Sequence, residues 1–85
     1  ELIETIRQRK ASPSKESYTN KLLNNQKLSV EKVKEEIAEL LDAIAKNTNK
    51  VHEAADTLYH LIVLLEASGI KIEDVMSELK KRQKK

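Results

Sequence analysis

Residues 29–65 read SVEKVKEEIAELLDAIAK, then NTN, then KVHEAADTLYHLIVLL, and this stretch decides the fold. Val30, Val33, Ile37, Leu40, Leu41 and Ile44 recur at three- and four-residue steps, which is the period of one helix face. Ser29 stands where an N-cap belongs, and Glu31 falls in the expected first turn, where the helix dipole favours an anion. Asn47-Thr48-Asn49 is too short to do more than reverse the chain, so the next helix is expected to return antiparallel. Val51, Ala55, Leu58, Ile62 and Leu65 give that helix its own stripe, and Gly69 sits where a left-handed residue would end it.

Outward from this pair the chain holds shorter helical segments. Leu2, Ile3 and Ile6 mark one from Glu1 to about Ala11, which ends in the basic run Arg7-Gln8-Arg9-Lys10. Ser12-Pro13-Ser14 breaks it. Ser17 or Thr19 is expected to cap a short helix carrying Tyr18, Leu22 and Leu23, and Asn24-Asn25-Gln26 interrupts again. A last helix should start near Ile72, with Glu73 and Asp74 in its first turn, bury Val75, Met76 and Leu79, and fray into the basic residues 80–85. The expected fold is all-α, an antiparallel bundle of four to five helices forming a single domain over residues 1–85.

Composition agrees. The 85 residues include one Gly, one Pro, no Cys, no Phe and no Trp, which excludes turn-rich β architectures, disulfide or thiolate bracing, and an aromatic platform for single-stranded nucleic acid. Sixteen basic and fourteen acidic residues leave a net charge of +2, so no global field draws nucleic acid. The longest apolar run, Leu61 to Leu65, cannot span a bilayer. Cysteine-free and rich in Lys and Glu, the chain reads as cytoplasmic.

The acids carry the chemistry. Glu36 and Glu39 are i, i+3 on the long helix, and Glu53 and Asp56 are i, i+3 on its return. Each spacing sets two carboxylates side by side, and two neighbouring helices can bring all four together. Such a group repels itself unless a cation is present, and all-oxygen ligands suit Mg²⁺ or Mn²⁺. Glu35, adjacent, could act as a base toward water. Lys32 shares a face with Glu36 and could pair with it at i, i+4. On the wheel, the side of the second helix bearing Glu53, Asp56 and His60 runs on into Val63 and Leu64. A helix apolar on nearly all sides is covered on both faces, and a chain this short has few helices to do it, so a two-fold homodimer is expected, with the acids at the edge of an interior. The bland alternative is a solvated face: double-Glu motifs are common on helices, and it is the second pair that tells against chance.

These segments resemble the phosphoribosyl-ATP pyrophosphohydrolases, the second enzymes of histidine biosynthesis, within the all-α nucleotide pyrophosphohydrolase superfamily. The resemblance rests on Ile6-x-x-Arg9-Lys10, Ser17-Tyr18-Thr19-x-Lys21-Leu22-Leu23, Lys32-Val33-Lys34-Glu35-Glu36-x-x-Glu39 and Glu53-Ala54-Ala55-Asp56-x-x-Tyr59-His60. It implies Mg²⁺-dependent hydrolysis between the α- and β-phosphates of phosphoribosyl-ATP, giving phosphoribosyl-AMP and pyrophosphate. By the same resemblance Glu36, Glu39, Glu53 and Asp56 hold the metal and Glu35 orients or deprotonates the attacking water. Arg9, Lys10, Tyr18, Thr19, Lys21 and Lys32 would surround the phosphates, with Tyr59 and His60 completing the site. The family's usual homodimer agrees with the two-sided helix. Lys34 departs from the pattern, since Gly usually precedes the double Glu. The alternatives are a housekeeping nucleoside triphosphate pyrophosphatase of the same superfamily, which shares the metal motif, and a helical module that only dimerises.

Overall fold

A computed structural model describes residues 2–11 and 18–83 as five helices: α1 (Leu2–Ala11), α2 (Tyr18–Leu23), α3 (Gln26–Lys46), α4 (Lys50–Ala67) and α5 (Ile72–Gln83). The described residues are all-helical, and no helix among them is long and apolar enough to cross a membrane. The expected cap at Ser17 lies outside the described residues.

The long helix begins four residues earlier than its sequence suggests. Asn25, not Ser29, is the N-cap of α3, and its side chain accepts from the Leu28 N–H at 3.0 Å. Ser29 is inside the helix and wholly buried. An Asn and a Ser cap equally well, so local sequence does not choose between them. Glu31 therefore lies beyond the first turn, where it pairs with Lys34 at 3.7 Å. Lys34 points outward, which shows how a long side chain is accommodated before the double Glu. Thr19 is likewise inside α2 and caps nothing; its hydroxyl is hydrogen-bonded to the Tyr59 hydroxyl.

The turns obey their sequence. Asn47 and Asn49 both take positive φ (55° and 50°), which Asn tolerates because its short polar side chain bonds locally. α4 ends in a Schellman motif: Gly69 N–H donates to Glu66 O at 3.2 Å and Ile70 N–H to Leu65 O at 2.8 Å, with Gly69 at φ 76°.

α4 is the hub. It packs along α3 and also meets α1, α2 and α5. The core is Ile6 of α1, Leu22 of α2 and Val63 of α4, flanked by Leu23, Leu28, Tyr59 and Ile62. Each buried side chain contributes about 2 kcal/mol of transfer free energy, so this core is small. Arg7 ties three helices together at one end. Its Nε and Nη2 donate to the two carboxylate oxygens of Glu66, both at 3.2 Å, and its guanidinium also grips Glu73 on α5.

This arrangement reverses the expected facing of the two long helices. The side of α4 that runs from the acids into Val63 is covered within the chain, by α1 and α2, and Val63 is 0% exposed. Much of the stripes expected to form the chain's core is bare instead: Ile37, Leu41 (61%), Ile44, Val51 (85%) and Leu58 (58%) are exposed, while Val33 is buried and Val30, Leu40, Ile62 and Leu65 are half-buried; Leu61, outside the expected stripe, is exposed beside them. Ile6 of α1 and Leu22 of α2 cover Val63, and the exposed side chains on the opposite side have no such cover among the described residues. α5 also differs from expectation: Val75 is only half-buried, and Met76 and Leu79 are exposed.

Candidate active site

Three of the four expected ligands converge. Oxygens of Glu36, Glu39 and Glu53 lie within 4.8 Å of one another. The helix period puts Glu36 and Glu39 on adjacent turns of α3, and α4 brings Glu53 opposite them. One oxygen of Glu36 and one of Glu53 are buried without a hydrogen-bond partner. Asp56 stands in a neighbouring group with Glu53 and His52, so Glu53 belongs to both clusters. Asp56 Oδ2 lies 3.3 Å from His52 Nε2, and Asp56 remains partly exposed. The sequence reading overlooked His52, although its i, i+4 spacing to Asp56 was the signal that could have found it. A cleft of about 180 Å³ opens beside this group, lined by Glu39, Asp42, Ala43, Thr48, Asn49 and Glu53.

Burial and crowding set the electrostatics. The Glu36 carboxyl is pushed up to about 7, by burial first, then by the hydrogen-bonding proximity of Glu39 and the charges of Glu39, Asp56 and Glu53. His60 is buried and its basicity is pushed down, chiefly by that burial. Its Nε2 stands 3.8 Å from Glu36, too far for a hydrogen bond, and its Nδ1 is buried without a partner. Tyr18 and Tyr59 both meet the His60 ring edge-on, at centroid distances of 5.8 and 5.1 Å. The Tyr18 hydroxyl is pushed up, mainly by burial.

The other expected residues divide. Lys32 reaches Glu35 at 3.6 Å rather than Glu36, because Glu36 is turned inward toward His60. Lys32 and Glu35 both act electrostatically on Tyr18 and His60, which places them at the same end of the site. Thr19 joins through Tyr59. Lys10 does not: its Nζ donates to the Glu66 carbonyl at 2.6 Å. Glu66 is ten residues beyond Asp56 on α4, about 15 Å along the helix. Arg9 and Lys21 are exposed on α1 and α2.

A family model described as phosphoribosyl-ATP pyrophosphohydrolase matches residues 1–83. The chain belongs to the phosphoribosyl-ATP pyrophosphohydrolase family. A "Phosphoribosyl-ATP pyrophosphatase" of Bacillus cereus (strain Q1) is 43% identical over 88 residues, covering 99% of this chain and 81% of that protein. One of the same name from Clostridium novyi (strain NT) is 42% identical over 90 residues, covering 100% of this chain and 80% of the relative. The "Histidine biosynthesis bifunctional protein HisIE" of Pyrococcus furiosus is 42% identical over 85 residues, 99% of this chain but 40% of that longer protein. All the carboxylates described above fall within the stretch matched to the phosphoribosyl-ATP pyrophosphohydrolase family.

Proposed function

We propose that this chain hydrolyses phosphoribosyl-ATP to phosphoribosyl-AMP and pyrophosphate, with Mg²⁺ held by Glu36, Glu39, Glu53 and Asp56. The observation that carries the metal is the pair of buried, unpartnered carboxylate oxygens on Glu36 and Glu53, inside a cluster with Glu39. Left alone, such oxygens cost desolvation free energy without compensation. An all-oxygen donor set fits a hard divalent cation, and Mn²⁺ would also satisfy it. When bound, Mg²⁺ would neutralise charge on the pyrophosphate group.

The chain's own residues do the rest. Glu35 is half-exposed and open to water, so it is assigned to orient or deprotonate the nucleophile. Water adds across the α–β anhydride and pyrophosphate leaves. Lys32, beside Glu35, is assigned to meet phosphate oxygens. Tyr18, Tyr59 and His60 form an aromatic edge suited to the remainder of the nucleotide, with Thr19 holding the Tyr59 hydroxyl. Arg9 and Lys21 are assigned to phosphate from longer range; Lys10 would have to release the Glu66 carbonyl to join them.

The proposed assembly is an antiparallel bundle forming a single domain, completed by a second copy across Ile37, Leu41, Ile44, Val51, Leu58 and Leu61. Six large apolar side chains bare on two adjacent helices support it. The composition supports a cytoplasmic location.

The test is pyrophosphate release from phosphoribosyl-ATP and, in parallel, from a panel of deoxynucleoside triphosphates, with Mg²⁺ or with a chelator. Turnover of phosphoribosyl-ATP alone, dependent on Mg²⁺, is the expected result. Preference for the triphosphates would favour a housekeeping pyrophosphatase. Glu39→Gln and Asp56→Asn should each lower kcat/KM by more than the about 10–100-fold typical of outer-sphere partners, with the helical circular dichroism intact. Full activity in either variant removes that residue from the ligand set.

A further inference from the structure

Thr57 is half-buried on α4, and its hydroxyl faces two backbone carbonyls at once. One is its own Glu53 carbonyl, four residues back, at 2.8 Å. The other is the Glu36 carbonyl of α3, at 3.1 Å. Both carbonyls belong to residues whose carboxylates meet in the acidic cluster. We infer that Thr57 is a positioning residue for the metal site, fixing by its hydroxyl the spacing and register between the turn of α3 that carries Glu36 and the turn of α4 that carries Glu53. The inference rests on the metal reading given above.

The physical argument is one of geometry against repulsion. Before a cation arrives, the carboxylates of Glu36, Glu39 and Glu53 push α3 and α4 apart. A direct hydrogen bond between the two ligand-bearing turns holds them where a cation needs them. A serine or threonine that bonds its own i−4 carbonyl slightly bends a helix, and here the same hydroxyl leans on the neighbouring helix as well. The Glu36 carbonyl is in the middle of α3 and retains its helix partner without Thr57. Loss of the hydroxyl therefore leaves no orphaned backbone group and should spare the fold. It should loosen the pairing of the two turns, and with it the affinity for the ion.

The experiment is a melting titration with Mg²⁺ alone, read by circular dichroism on the full chain, for wild type, Thr57→Val, Thr57→Ala and Thr57→Ser. Val keeps the shape of Thr and removes the hydroxyl; Ala removes the bulk as well; Ser keeps the hydroxyl. The Mg²⁺ concentration at half-effect should rise about three- to tenfold in Thr57→Val and Thr57→Ala, the range expected for loss of one hydrogen bond. It should stay within about twofold of wild type in Thr57→Ser. Saturating Mg²⁺ should restore kcat in the hydroxyl-free variants. An unchanged half-effect concentration in Thr57→Val overturns the inference. So does an equal loss in Thr57→Ser, or a loss in Thr57→Val that Thr57→Ala does not share, since the hydroxyl is then not the cause. If wild type itself shows no Mg²⁺-dependent shift, the metal reading falls and this inference falls with it.

Discussion

Glu36 holds two conflicting demands, burial and negative charge. Its carboxyl is pushed up to about 7 by burial and by the neighbouring acids, against 4.5 for an ordinary Glu. The folded, metal-free chain thus binds a proton there more tightly than the unfolded chain does. The sign follows from linkage: this group's contribution to stability is present in full below pH 4.5 and is lost as pH rises through about 7. The melting midpoint in chelator should accordingly fall between these pH values, and Glu36→Gln should flatten that fall. Mg²⁺ competes with the proton, so its stabilisation should grow over the same interval. A metal-free midpoint that climbs with pH there, unchanged in Glu36→Gln, would show that the carboxyl is not strained in this way. The four acids were legible as residues from their i, i+3 spacing. Their grouping was only partly so. Asp56 is shared with His52 because side-chain reach on α4 competes with reach across to α3.

At the scale of the element, helix ends show which local signals are decisive. Gly69 ends α4 in a left-handed conformation, and a Cβ added there would meet nothing within 4 Å. Its role is thus φ and not space. Gly69→Ala should destabilise the chain by about 1–2 kcal/mol, and Gly69→Asn by less, in urea unfolding monitored by circular dichroism. Equal costs for Ala and Asn would point to some cause other than backbone handedness. Gly69 is unambiguous in sequence because few residues accept positive φ. The start of α3 is not, since Asn25 and Ser29 are both good caps and a helix can begin at either. In the fold Ser29 is buried inside α3 and Asn25 caps it. Thr19 and Lys32 illustrate the same limit: each has a plausible local partner, and a residue on another helix, or one turned inward, redirects it.

For the whole molecule, the deciding fact is which sides of α3 and α4 are covered. α1 and α2 close over the acid-bearing side, with Ile6 and Leu22 on Val63, and Arg7 binds α1 and α5 to the end of α4 through Glu66 and Glu73. The Glu73 carboxyl is held down to about 2 by that hydrogen bond from Arg7. The other side keeps its leucines and isoleucines exposed, which is costly in water and would be relieved by the second copy proposed above. Leu58→Glu should shift sedimentation toward a monomer and lower the melting midpoint at low protein concentration. A wild-type chain already monomeric at tens of micromolar would refute the assembly. Sequence alone determined that the chain is helical, where most helices lie, how α3 turns into α4 and which acids share a face, because these depend on residue type and on a period of 3.6. Tertiary structure alone decided that Glu36 is turned inward while much of the long apolar stripes is left outward, where α3 starts, and which partners Thr57 and Lys10 take. Both stripes of α4 are apolar enough to be buried, and periodicity assigns residues to a face without stating which face another helix will occupy.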